Sequence, residues 1–160
     1  MPEYERWSET RASAIIDQHA GRPGAVLPIL QDLQEVFGHV PGPAEAMIAE
    51  ALNVTRAEVH GIVTFYHDFR RHPPGQHVLR LCRAEACQAA GGDALADDVR
   101  RRHKLDWDAT TADGALTLEA VFCLGLCACG PAAMLDGEVM GRLDAQALAA
   151  ALDAAMEPTR

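Results

Sequence analysis

The stretch VFCLGLCACGPAAML, residues 121–135, carries three of the chain's five cysteines directly behind an apolar run that reads as a strand. Upstream, LCRAEACQ (residues 81–88) sets Cys82 and Cys87 at the end of a second apolar run, HVLRL. Two cysteine-bearing loops, each following a strand, can meet at one edge of a sheet. The thiols fall into a C-x4-C pair, Cys82 and Cys87, and a C-x3-C pair, Cys123 and Cys127. Four thiolates converging in this way are what an iron–sulfur cluster requires, so the residues point to a bound 2Fe-2S centre.

Spacing alone leaves other readings open. Four thiolates also close a structural zinc site, but such sites usually gather their ligands on tight C-x2-C-type turns, whereas wider gaps let two loops span two irons. Simple burial suits lone cysteines better than two pairs flanked by Gly125, Gly130 and Pro131. A thiol–disulfide enzyme would use C-x-x-C with its first thiol at a helix N-terminus, and the gap here is longer. The plant-type ferredoxin run, C-x4-C-x2-C, also differs. Cys129 can replace Cys127 as a ligand, stand behind the ligands, or be incidental; the expectation is incidental. Gly125 is placed to let the backbone approach a cluster and aim N–H groups at its sulfurs, which raises a reduction potential.

The bulk properties narrow the class. A chain of 160 residues, 49% apolar and 23% charged, buries an adequate core as one domain, or as one domain with a helical extension. Its net charge of −9 argues against binding nucleic acid, which relies on surplus Lys and Arg. From Leu105 to Arg160 there are nine acidic residues against two basic ones, so most of the excess lies there. Arg70 and Arg71, and the run Arg100, Arg101, Arg102, Lys104, read as solvated helix ends rather than a docking patch. The opening MPEYERWSET is charged, and no apolar run reaches membrane-spanning length, so the expectation is a cytoplasmic chain with no membrane segment of its own. In that compartment thiols stay reduced, and an odd set of five cysteines favours metal binding over disulfides.

The first part of the chain reads as helical. Weak signals around Ala12, Ile15 and Ile16 precede GAVLPILQDLQEVFG, where Val26, Ile29, Leu30, Leu33, Val36 and Phe37 recur at helical spacing and Gly38 marks a stop. A further helix carries Met47, Ile48, Ala51 and Leu52. Another opens on the T-x-x-E box of Thr55 and Glu58 and runs through Val59, Ile62, Val63, Phe65 and Tyr66. The prolines and glycine of RHPPGQH (residues 71–77) break the pattern, giving a helical part over residues 1–74 and a second domain over 75–160. That domain reads as strand 77–81, helix 92–103, strand 115–122, strand 132–135, a turn at Asp136 and Gly137, strand 138–140, and a helix capped by Asp144. The order β-α-β-β-β-α suits an α/β fold with a small mixed sheet covered by helices. Among other candidates, His60 and His67 match no metal-site spacing, Asp97 and Asp98 point apart on one helix, and no phosphate-binding glycine motif is present. No catalytic residue and no nucleotide site are therefore expected.

The chain resembles the thioredoxin-like 2Fe-2S ferredoxin family, typified by the 24 kDa subunit of respiratory complex I and its relatives in NAD-linked hydrogenases and formate dehydrogenases. The carriers are LPILQDLQEVFGHVP (27–41), VHGIVTFYHDF (59–69), PGQHVLRLCRAEAC (74–87) and TLEAVFCLGLCACGPAAML (117–135). The resemblance implies a helical N-terminal part followed by a thioredoxin-like domain, with one 2Fe-2S cluster on Cys82, Cys87, Cys123 and Cys127 and with Cys129 outside the motif. Arg83, Ala84, Glu85 and Ala86, followed by Gln88 and Ala89, resemble the gamma subunit of NAD-dependent molybdenum or tungsten formate dehydrogenase. This implies an electron-transfer subunit whose partners are a flavin- and NAD-binding subunit and a molybdopterin formate dehydrogenase catalytic subunit, with FMN, NAD and molybdopterin on those partners only. The equivalent subunit of complex I or of an NAD-linked hydrogenase is the alternative; a zinc-stabilised interaction module is the alternative of another class.

Overall fold

The computed structural model describes residues 4–157, which divide between Pro73 and Pro74 into two compact units. The first is helical: α1 (Glu9–His19), α2 (Val26–Phe37), α3 (Gly42–Leu52) and α4 (Arg56–Phe65). Several helix ends have a local cause. The Ser8 side chain accepts from the Arg11 N–H to cap α1, a cap the weak apolar pattern around Ile15 did not reveal. Gly38 ends α2 and Asn53 ends α3, both in the left-handed region that closes a helix. Thr55 and Glu58 form the reciprocal capping box of α4. The apolar stripe of α2 (Ile29, Leu30, Leu33, Phe37) is fully buried against Ile15, Ile16, Ile48, Val59 and Val63, and Trp7 meets Phe37 edge-on at 5.3 Å between ring centroids. Phe65 and Tyr66, at the end of the α4 pattern, are exposed instead of joining this core.

A buried acid ties this unit together. Glu45 on α3 is 1% exposed, and its carboxylate accepts from Arg71, in the stretch after α4, and bonds His60 Nδ1 at 3.1 Å. Gln34 adds two further ties to the same stretch, donating to the Asp68 carbonyl (2.8 Å) and accepting from the Arg70 N–H (2.6 Å). Burial alone pushes the Glu45 carboxyl up, but the hydrogen bonds and charges of Arg71 and His60 outweigh it and hold the group below its ordinary value.

The second unit is a mixed sheet with helices: β1 (His77–Cys82), α5 (Glu85–Ala89), α6 (Gly92–His103), β2 (Ala109–Thr110), β3 (Leu116–Val121), β4 (Ala133–Leu135), β5 (Glu138–Met140) and α7 (Ala145–Met156). The strand order is β2-β3-β1-β4-β5. Strand β1 lies at the centre, parallel to β3 with His77 opposite Leu116, and antiparallel to β4 with Leu79 opposite Leu135. Alternate residues of the central strands (Leu79, Leu81, Leu116, Leu118, Ala133, Leu135) are buried with Leu95 and Val99 of α6 and Leu148 and Leu152 of α7. The elements read from periodicity are present; β2, α5 and a 3-10 turn at Cys127–Cys129 are additions. The result is a mixed α/β domain in which parallel β1 and β3 end side by side, Cys82 opposite Val121.

Candidate metal centre

The parallel pairing determines where the cysteines go. Because β1 and β3 run the same way in register, the loops that leave them emerge at the same edge of the sheet. Cys82 is the last residue of β1, and Cys87 follows on the short helix α5. Cys123 lies two residues beyond β3, and Cys127 opens the 3-10 turn. All five cysteines are free thiols.

The two pairs occupy different surroundings. Cys82 and Cys87 are buried with Ala132, Ala84, Val121, Leu124 and Leu126 around them, whereas Cys123 and Cys127 are exposed. The Cys123 and Cys127 sulfurs lie 3.7 Å apart. The Gly125 N–H donates to Cys123 Sγ at 3.3 Å, with Gly125 at φ +78° where an L residue would be strained. Cys123 itself sits at φ +138°, a region non-glycine residues rarely adopt, so the loop holds its thiol in a conformation imposed by its surroundings. Glycine is also required behind Cys87 at position 92, where a Cβ would lie 2.6 Å from the Cys87 carbonyl oxygen, whereas a Cβ on Gly130 would meet the Cys87 sulfur at 3.4 Å, an ordinary contact.

The electrostatics are those of crowded thiols. Burial, then the hydrogen bond with Cys82, pushes the Cys87 thiol up. The hydrogen bond with Cys123 and its like charge do the same to Cys127. Groups that resist ionising beside one another lose that penalty when a cation is shared between their sulfurs, so the donor set suits metal binding with release of protons. Among the described residues no three ligating side chains converge on a position for a single ion. The thiols stand as two pairs, and two cysteine pairs with a backbone N–H on one sulfur fit a two-iron cluster.

The other sequence candidates fall elsewhere. Cys129 closes the 3-10 turn, half-buried, and its carbonyl accepts from the Arg142 N–H. Asp98 forms ion pairs with Arg101 and Arg102, and Asp97 with Arg100, along α6. His60 is engaged by Glu45 in the helical unit. Sequence reasoning missed Trp107, against which the guanidinium of Arg83, the residue after Cys82, packs at 4.9 Å from the ring centroid. Arg83 N–H also donates to the Val121 carbonyl at 2.7 Å, joining the start of the first cysteine loop to the end of β3. The only signal was an exposed-type Arg next to a cysteine, with its aromatic partner far along the chain.

Comparison with known proteins agrees with this geometry. The sequence profile described as thioredoxin-like [2Fe-2S] ferredoxin matches residues 12–156. The chain is 36% identical over 143 residues to an NADH-quinone oxidoreductase subunit of Rhizobium meliloti (strain 1021), covering 89% of this chain and 83% of that protein. It is 30% identical over 122 residues to an NADP-reducing hydrogenase subunit of Solidesulfovibrio fructosivorans, covering 76% and 71% respectively. Among solved structures, an NAD+-reducing [NiFe]-hydrogenase in the air-oxidized state superposes with a TM-score of 0.68 at 25% identity over 93% of this chain, which spans 24% of that hydrogenase chain. The paired thiols at the ends of two parallel strands, together with these matches, place the chain in the thioredoxin-like [2Fe-2S] ferredoxin family, with one 2Fe-2S cluster as its cofactor.

Proposed function

We propose that the chain is a non-catalytic electron-transfer subunit that exchanges single electrons with the flavin of an NAD-handling partner subunit. The observation that carries this reading is the pairing of four thiols in two strand-end loops, one pair buried and one exposed, in a chain of this family. When bound, the cluster supplies a one-electron redox couple. In this reading Cys82, Cys87, Cys123 and Cys127 are its ligands, and the Gly125 N–H steadies the Cys123 sulfur. The buried pair keeps water from one side of the site, and the exposed pair leaves a short route for electrons from a neighbouring protein. The acidic stretch 105–160 favours the oxidised, less negative state and a low potential. Residues 75–160 act as the cluster domain. Residues 1–74 form a docking module, supported by the exposed Phe65 and Tyr66.

Arg83 to Ala86 with Gln88 and Ala89 support a cytoplasmic NAD-dependent formate dehydrogenase as the parent complex, with FMN and NAD on one partner and molybdopterin on the catalytic subunit. The names of the relatives support a second reading, an NADH-quinone oxidoreductase or an NAD(P)-linked hydrogenase. Among the described residues no helix is long and apolar enough to cross a membrane. Anaerobic purification from the native host separates these readings. Co-elution with a flavin subunit and a molybdopterin subunit, with formate and NADH each reducing the centre, is the expected result. Co-elution with quinone-reductase or hydrogenase subunits would move the chain to the second parent. A chain that elutes alone, with a centre that NADH leaves oxidised, would contradict both.

A further inference from the structure

The face of the sheet away from the α6 and α7 packing carries an ion pair directly behind the cysteine edge. Along β1, Leu79 and Leu81 enter the core, and Arg80 and Cys82 share the opposite face. Along β3, Leu118 enters the core, and Glu119 and Val121 share that opposite face. In register, Arg80 lies across from Glu119, and Cys82 lies across from Val121. Arg80 Nε donates to Glu119 Oε2 at 2.7 Å, and its Nη1 lies 4.0 Å from Met134 Sδ on β4, so the guanidinium stretches along one row across three strands. The next row toward the strand ends is Val121, Cys82 and Ala132, part of the wall of the buried cysteine pair.

We propose that Arg80 and Glu119 set the reduction potential of the cluster by opposing charges, Arg80 favouring the arriving electron and Glu119 offsetting it. The proposal rests on the reading of Cys82 as a ligand. Arg80 and Cys82 are two residues apart on one strand, a backbone spacing of about 6.6 Å, and the screening length is about 8 Å at physiological ionic strength. The pair is also partly withdrawn from water, with side-chain exposures of 32% and 18%, so its field is damped less than that of a surface pair. Adding an electron makes the cluster more negative, so a nearby cation stabilises the reduced form and a nearby anion the oxidised form. Paired, the two nearly cancel. Either one alone does not.

The test is a mediated redox titration followed by electron paramagnetic resonance, on the full-length, cluster-loaded chain at fixed pH and salt. Glu119→Gln should move the midpoint upward, Arg80→Gln should move it downward, and the double variant should return close to the starting value. Arg80→Lys, which keeps the charge, should stay near the unsubstituted protein. Opposite signs that cancel are a signature that loosened packing does not produce. Shifts of the same sign, or no shift with the signal intact, would overturn the proposal. Loss of the cluster from both single variants would make the pair structural and overturn it equally. If the unsubstituted chain gives no 2Fe-2S signal, the ligand assignment beneath it fails, a result distinct from an unmoved midpoint.

Discussion

At the residue scale the site depends on which side chains can be exchanged without moving a sulfur. Replacing Cys82 or Cys123 with Ser should abolish or distort the cluster, because each supplies one member of a pair, whereas Cys129→Ser should leave it in place. Iron analysis and the paramagnetic spectrum of the reduced protein read this directly, and loss of the signal in Cys129→Ser would contradict the ligand set. Gly92→Ala makes a sharper demand, since the new methyl would lie 2.6 Å from the Cys87 carbonyl oxygen. Backbone must shift there, at a cost of about 1–3 kcal/mol, and the cluster content and the melting temperature should fall together. The grouping of the thiols into two pairs, and Gly125 as the residue approaching one of them, were legible because residue spacing is a local property of sequence. Cys123 at positive φ and the packing of Arg83 on Trp107 were not, because both are imposed by residues distant along the chain.

At the element scale, α2, α6, α7, β1 and the β4–β5 hairpin were legible, since each carries its own period or turn signal. Strand β2 has two residues and α5 has five, too few for any period to show, and β2 exists because it pairs with β3. The role of Glu45 was hidden for the same reason: an acid on an otherwise ordinary helix becomes buried only when Arg71 and His60 arrive to bond it. Its depressed pKa gives a stability term complete above the ordinary value near 4.5 and lost as the pH falls through the folded-state value. The helical unit should therefore weaken in acid below about pH 4.5, by circular dichroism, and Glu45→Gln should remove that part of the dependence. Arg71→Ala should destabilise at neutral pH by about 1–3 kcal/mol, because it leaves a buried carboxylate short of a donor. An acid profile unchanged in Glu45→Gln would place the sensitive group elsewhere.

At the scale of the whole molecule, two parallel strands carry two cysteine pairs to one edge of the sheet, while a helical unit precedes them in the chain. In the function proposed above, the second unit holds the redox centre and the helical unit is the docking module. Its acidic second half predicts a couple well below about −150 mV, and a midpoint in the Rieske range would contradict that electrostatic argument. A cluster on the four named thiols is tested most directly by iron and acid-labile sulfide on the anaerobically purified chain, with its spectrum before and after reduction. About two irons and about two sulfides per chain, a brown colour and a paramagnetic signal on one-electron reduction are expected. A folded, colourless preparation holding one zinc or no metal would contradict it.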